Sequence, residues 1–473
     1  MTGPRDLFDR VPPWGLDTAS WRKLWVGALL ALVLFLLPTP DGLTVAGKQT
    51  LALFIVIIYF WATEALPLPV TALGAGVGLV VIGTYHPHTP DWKVNDAWSP
   101  YAQDTIFFLL GSLILADAVT KTHADKVLAS RFLKRAGTGT DKLLFGIIAV
   151  SAISAMFVSN HAVAAVMLPL VVSILRATGL IKERNYAAGY ILAIALGAAI
   201  AGLGTPSGGS RNVIVLGYLD ELYDIQISYL EWTVRAAPIT LALIPVVYAV
   251  LKFAFRMPNR PLDAGTLPLD ESKMTKEQRR VLYIMGLTVV LWIWQGTRFG
   301  LGTIAIVGAV LLFVTNILDW MDTRKRVAWG VPLIYGAALA MGQNLQDTGA
   351  VDWLSNTLLG LPIWTGPLVL VLGTLILSVV LTNIMSDGGT AAVLAPVTMS
   401  LAFLQGYSVG DIGMITAIGA AFGYMLVVAN PGNVITYQSG LFTPKDLAKA
   451  GFPLTIASII ITYLAVTFYW PML

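Results

Sequence analysis

Apolar runs long enough to cross a bilayer recur from residue 24 to the end of the chain, separated by short polar stretches. Such a pattern predicts membrane-spanning helices, because a backbone in lipid must satisfy its own hydrogen bonds. The runs lie near 24 to 38, 48 to 64, 66 to 84, 105 to 120, 236 to 255, 281 to 297, 300 to 318, 327 to 345 and 452 to 470. Two further apolar stretches, 143 to 158 and 161 to 175, are flanked on both sides by basic loops. Two half-crossings fit that flanking better than one full span, which predicts a re-entrant hairpin.

The charges between these runs alternate in sign. The segment 85 to 104 carries Asp91, Asp96 and Asp104 against Lys93, whereas the next loop holds Lys121, Lys126, Arg131, Lys134, Arg135 and Lys142 against Asp125 and Asp141. Basic loops stay in the cytoplasm, so the first segment is expected outside and the second inside. Arg176, Lys182 and Arg184 are then inside, Asp220, Glu221, Asp224 and Glu231 outside, and the charged, proline-rich linker 256 to 280 inside. Arg324, Lys325 and Arg326 follow inside, Asp347 and Asp352 outside, and Lys445 and Lys449 inside. The N-terminus is expected in the cytoplasm and the C-terminus outside. Residues 1 to 23 read as a cytoplasmic or interfacial lead-in, unlike a cleaved signal peptide.

Composition agrees with this reading. Only 12% of the 473 residues are charged and 56% are hydrophobic, against roughly 25% charged in a soluble domain. The net charge of +3 is small and its basic residues are dispersed, which gives no support to nucleic-acid binding. Cysteine is absent, excluding disulfides, thiolate metal sites and cysteine nucleophiles.

The two sides of the linker resemble each other. Ser159-Asn-His-Ala-Val-Ala-Ala-Val-Met-Leu-Pro169 aligns without gaps to Ser386-Asp-Gly-Gly-Thr-Ala-Ala-Val-Leu-Ala-Pro396. Upstream, Phe108-Leu-Leu-Gly-Ser-Leu-Ile-Leu-Ala116 resembles Leu333-Ile-Tyr-Gly-Ala-Ala-Leu-Ala-Met341, and downstream Asn212-Val-Ile-Val echoes Asn433-Val-Ile-Thr. Loop charges place the second hairpin, about 366 to 404, on the opposite face from the first. Inverted repeats of this kind let one central site open alternately to each side, as in many secondary transporters. The expected fold is therefore an all-α integral membrane protein of about 11 transmembrane segments, with two re-entrant hairpins in inverted-topology repeats. Its expected parts are scaffold helices 24–104, a first repeat 105–255 with its hairpin near 143–175, the linker 256–280, scaffold helices 281–326, and a second repeat 327–473.

Each repeat also contains a stretch that no continuous helix can cross: Gly202-Leu-Gly-Thr-Pro-Ser-Gly-Gly-Ser-Arg-Asn212 and Ala429-Asn-Pro-Gly-Asn433. A broken backbone at membrane depth must be buried in protein or line a water-filled cavity. There, half-helix N-termini present partial positive charge to an anion, and freed carbonyls can coordinate a small hard cation.

These motifs, with Trp61-Ala-Thr-Glu-Ala-Leu-Pro-Leu-Pro69, resemble the divalent-anion/sodium symporter family over nearly the whole chain. The resemblance implies a homodimer in the lipid bilayer, with a scaffold and a moving transport domain. It implies Na+-coupled transport of a di- or tricarboxylate or sulfate across a bacterial cytoplasmic membrane. By the same resemblance Ser159, Asn160 and the backbone near Gly202 would form a first sodium site, and Thr382, Met385, Asp387 and Ala429 a second. Substrate would touch Asn160, His161, Asp387, Gly388 and Thr205. Glu64 falls at a family position near a helix end and is given a structural role.

The chain departs from the family at several of these positions. Ala155 stands where the family has a serine, His161 replaces a threonine, Asp387 an asparagine, Arg211 a proline, and Gly388 a threonine. His161 can titrate near neutrality. A carboxylate at Asp387 beside an anion needs a cation or proton to neutralise it. Arg211 could clamp an anion in bidentate fashion, pair with Asp387, or point to the outer water. H+ symport and anion exchange therefore stand as alternatives to Na+ symport. An intramembrane hydrolase using Ser207 or Ser210 with His161 is a remote rival, since no G-x-S-x-G elbow occurs. A primary pump lacks its phosphate loop, G-x-x-x-x-G-K-[ST].

Overall fold

The computed structural model describes residues 18–87, 89, 91–136, 139–262, 273–360 and 366–473. Most of the N-terminal lead-in (1–17) and the middle of the linker (263–272) lie outside them. The described residues are helical, with no strand among them, and nine stretches of helix are long and apolar enough to cross a bilayer. Two shorter apolar helices, Leu301–Val314 and Val409–Ala420, accompany them.

The chain divides into two compact units. The first comprises residues up to Tyr101 together with Leu333–Leu354. It contains α1 (Thr18–Leu36), α2 (Val45–Thr63), α3 (Leu68–Tyr85) and the short α4 (Val94–Trp98). Side-chain hydrogen bonds hold its two chain segments together: the buried Thr50 donates to Asn344 Oδ1 at 3.1 Å, and Thr44 donates to the Thr348 carbonyl at 3.0 Å. Glu64 closes α2 in the left-handed conformation, φ 49°, with its side chain exposed, so it ends a helix.

The second unit comprises Ala102–Pro332 and Ser355–Leu473. Its first run is α5 (Asp104–Lys121), α6 (Ala124–Ala136), α7 (Thr140–Ala155), α8 (Asn160–Ala177), α9 (Arg184–Ala199), α10 (Ser210–Tyr223) and α11 (Tyr229–Phe255). After α12 (Lys276–Phe299), α13 (Leu301–Val314) and α14 (Trp320–Arg326), the same series of elements recurs. It begins with α15 (Gly330–Asp347), which lies mostly in the first unit, and α16 (Ala350–Leu359), which the unit boundary divides, and continues in the second unit with α17 (Pro367–Ile384), α18 (Asp387–Leu404), α19 (Val409–Ala420), α20 (Pro431–Tyr437) and α21 (Pro444–Leu464).

The correspondence reaches individual side chains. Ser151 on α7 and Ser378 on α17, both fully buried, each pack a Cβ against a glycine two helices further on, Gly197 on α9 and Gly419 on α19. Pro169 and Pro396 sit at matching places inside α8 and α18. The copies are also interlocked, because α10 of the first packs on α18 of the second, and α20 of the second packs on α8 of the first. Burial follows from this: α18 has 72% of its length buried, whereas the apolar stretch of α12 has 17% and keeps its hydrophobic side chains for lipid.

Candidate functional site

The site grows out of four helix starts. Between α7 and α8 the chain turns at Met156–Ser159, and between α17 and α18 it turns at Met385–Ser386. Between α9 and α10, and between α19 and α20, it is broken over stretches of equal length, 200–209 and 421–430. Each break holds one 3-10 turn, Pro206–Gly208 in the first and Val427–Ala429 in the second. Glycine, proline and asparagine in these stretches remove helix propensity, and Pro206 and Pro431 each stand where a helix is just starting.

Each broken backbone is stapled by one buried asparagine. Asn212 Nδ2 donates to the carbonyls of Gly202 and Thr205, both at 2.8 Å. Asn433 Nδ2 donates to those of Gly423 and Leu426, at 3.3 and 3.2 Å. The acceptors lie 10 and 7 residues back in both copies. A carbonyl freed from a helix costs several kcal/mol at membrane depth if left bare, so these amides make the breaks tolerable. In the sequence the mark of this role is the recurrence of an asparagine at a fixed place in both breaks, Asn212-Val-Ile and Asn433-Val-Ile. Counted from them, the first-copy counterpart of Ala429 is Gly208, a residue the sequence reading left out in favour of Gly202.

Around Gly202 and Gly208 several oxygens converge. A Cβ at Gly208 would lie 3.0 Å from the carbonyls of Gly202 and Met156 and 3.1 Å from that of Ala155. A Cβ at Gly202 would lie 2.9 Å from the Gly208 carbonyl, 2.9 Å from Arg211 Nη2 and 3.0 Å from Asn160 Oδ1. The Thr205 hydroxyl donates to the Met156 carbonyl and meets Ser207 Oγ at 3.3 Å, and Ser207 in turn meets Tyr229 OH at 2.9 Å. His161 is exposed and contacts Ser159 Oγ at 3.2 Å through Nε2. The hydroxyl of Ser207 is thus engaged by Tyr229 and Thr205, while the recorded partner of His161 is Ser159.

Arg211 has no exposed surface. Its Nη1 donates to Asp387 Oδ2 at 2.5 Å, and the Asp387 side chain is 19% exposed. Of the three placements expected for Arg211, pairing with Asp387 is the one the side chains adopt, and its full burial excludes the outer water. Asp387 Oδ1 accepts from the Gly388 N–H at 2.7 Å. The second copy has Gly432 where the first has Arg211, and a Cβ there would lie 3.5 Å from the Asn160 carbonyl. The starts of α8 and α20 therefore meet at Asn160, and those of α18 and α10 meet at Asp387. Four helix N-termini, each with partial positive charge, are drawn into one region of the second unit.

The second copy offers a different donor set for a small cation. The fully buried Thr382 donates its hydroxyl to the Ala420 carbonyl at 2.7 Å. Both its hydroxyl and its carbonyl oxygen lie 3.3 Å from the point where a Cβ at Gly423 would be, beside Ala429. Met385 and Ala429 are buried next to Asp387 in sequence and in the break. Hydroxyl and carbonyl oxygens of this kind suit a hard cation. Among the described residues no cluster of three His, Cys, Asp or Glu side chains could hold a metal, so any cation here would depend on main-chain and hydroxyl oxygens.

In the first copy the oxygens are comparable but the charge is not. A sodium ion among them would lie within a few ångströms of the guanidinium; two unit charges ~4 Å apart repel by about 4 kcal/mol at an effective dielectric of about 20, an upper bound here because the paired Asp387 carboxylate offsets part of it. With Ala155 supplying no hydroxyl either, the first set does not fit Na+ while Arg211 stays where it is.

Paired repeats, discontinuous helices and a polar region deep among apolar helices define a membrane transporter and not an enzyme. Residues 18–473 match the family model described as sodium:sulfate symporter transmembrane region, and the chain belongs to this family, the divalent-anion/sodium symporters. Among similar proteins, the sodium-dependent dicarboxylate transporter SdcS of Staphylococcus saprophyticus is 29% identical over 480 residues, covering 95% of this chain and 91% of its own. Its namesake in Staphylococcus aureus is 30% identical with the same coverage. Two solved transporters share the fold. YdaH of Alcanivorax borkumensis has a TM-score of 0.54 at 15% identity, covering 96% of this chain and 100% of its own. MtrF of Neisseria gonorrhoeae has 0.55 at 12%, covering 94% and 97%.

Proposed function

We propose that this secondary transporter of divalent anions carries a small dicarboxylate, coupled to Na+, across the bacterial cytoplasmic membrane. The observation that carries the reading is the meeting of Asn160, His161, Asp387 and Gly388 with four helix N-termini and the buried Arg211. Partial charges at the helix starts and the hydrogen-bonding side chains of Asn160 and His161 recognise carboxylate oxygens; Thr205 supports the Met156 turn beneath them. Thr382, Met385, Asp387 and Ala429 hold the coupling cation, which offsets the charge of the anion. The two hairpins re-enter the membrane from opposite faces and travel together past scaffold helices, an elevator-type movement, in a homodimer. The curated relatives are named for sodium-dependent dicarboxylate transport, which supports both the substrate class and the ion.

Reconstituted protein tests this directly. Radiolabelled succinate is expected to accumulate in proteoliposomes under an inward Na+ gradient, saturably, and to be competed by citrate or sulfate if either shares the site. Equal accumulation with K+ replacing Na+ would sink Na+ coupling. A second reading, exchange or H+ symport, is favoured by one observation: Arg211 already places a cation beside Asp387. It predicts uptake that depends on internal dicarboxylate, or on an imposed pH gradient, and ignores Na+.

A further inference from the structure

The two copies of the repeat are built alike but furnished differently, and the differences fall at matching positions. Where the second copy has Thr382, with hydroxyl and carbonyl facing Gly423 and Ala429, the first has Ala155, which offers only its carbonyl. Where the second has Gly432, with no side chain, the first has Arg211, wholly buried. The guanidinium spends one nitrogen on Asp387. Its other two, Nε and Nη2, are buried without a hydrogen-bond partner, and so is Asn160 Oδ1. Nη2, Asn160 Oδ1 and the Gly208 carbonyl all come within 3.0 Å of a single point at Gly202. A guanidinium whose unpaired donors share a pocket with the unpaired Asn160 Oδ1 and a main-chain carbonyl stands where a bare cation would otherwise be drawn.

We propose that Arg211 permanently occupies the cation position of the first repeat as a tethered charge, so that the chain takes up Na+ in its second repeat alone. The proposal rests on the reading of the chain as a cation-coupled anion carrier. The guanidinium supplies one positive charge that travels with the protein through every stage of transport. One fewer Na+ then accompanies each anion than in a carrier with two such ion sites. The same charge balances Asp387, the acid that the second copy carries where the first has the neutral Asn160.

Equilibrium binding of radioactive 22Na+ to the purified full chain, without any anion, tests this apart from transport. The wild type is expected to bind one Na+ per chain, and none bound would overturn the proposal. The Ala155→Ser/Arg211→Gly variant, which gives the first copy a hydroxyl and the glycine of the second, is expected to bind one more than the wild type. Two Na+ bound by the wild type overturn the proposal, as does equal binding by wild type and a folded double variant. Should that variant fail to fold, the wild-type count alone decides. Anion binding is scored separately, by thermal stabilisation with succinate. A protein that ignores all anions therefore defeats the transport reading without touching the Na+ count.

Discussion

Arg211 and Asp387 form the most consequential contact of the site, because one partner is fully buried and the other nearly so. Removing a single member of such a pair strands a charge away from water, which commonly costs about 3–5 kcal/mol. Asp387 keeps some exposure, so about 2–3 kcal/mol is expected for Arg211→Gln, read as a fall in the thermal unfolding midpoint. Adding Asp387→Asn should restore much of it; if the double substitution unfolds at the same temperature as the single, the pair is not what holds these residues. Asp125, at the start of the amphipathic α6, is a second residue whose charge is costly. Burial pushes its carboxyl up from 3.8 to about 6, against the opposing effects of the Lys126 N–H and His123. A folded-state pKa above the unfolded one means that stability falls as pH rises from about 4 through about 6. Asp125→Asn should therefore raise the unfolding midpoint at pH 7.5, and the gain should shrink toward zero by pH 4; a gain independent of pH would contradict this origin.

At the scale of elements, each break survives because one asparagine replaces the hydrogen bonds that a continuous helix would have supplied. Asn212→Ala and Asn433→Ala each leave two carbonyls without their donor and should each cost about 1–3 kcal/mol. Since the two residues do the same job in matching places, their effects should be similar in size; a large cost for one and none for the other would break the equivalence. Helix packing imposes its own demands. A Cβ at Gly111 on α5 would fall 2.5 Å from the Ala305 Cβ and 2.6 Å from the Ala305 backbone on α13, so even Gly111→Ala must push the two helices apart. A stability loss of about 1–3 kcal/mol is expected, typical of overpacking. The amphipathic α6 lies in the stretch whose charges mark a cytoplasmic loop; its apolar face packs on α7, α8 and α5 once the rest of the unit is present.

At the scale of the whole molecule, orientation and assembly are the open expectations, and the absence of cysteine makes them measurable. A thiol introduced by Lys134→Cys should react with an impermeant maleimide only from the cytoplasmic side. One introduced by Asp224→Cys should react only from outside. Labelling of both from the same face would overturn the charge-based topology. In detergent, the protein mass after subtraction of bound detergent should be about twice the 50.7 kDa of one chain if the homodimer persists outside the membrane.

Much of this protein was legible along the chain. Hydrophobic run length, loop charge and the recurrence of Ser, Ala-Ala-Val and Pro between 159–169 and 386–396 are local properties, and lipid allows few structures that can accommodate them. The sites of both breaks were equally plain, since glycine, proline and asparagine clustered within a few residues leave too little helix propensity to continue. What the chain could not disclose is which side chains from different copies meet. Whether Arg211 faces Asp387, a substrate or water depends on α10 packing against α18, a contact between residues 176 positions apart. That Gly208 and not only Gly202 contributes to the first oxygen cluster depends on how the break folds back on Met156. Such contacts are decided by packing in three dimensions, where a buried charge must find its partner or not be buried at all.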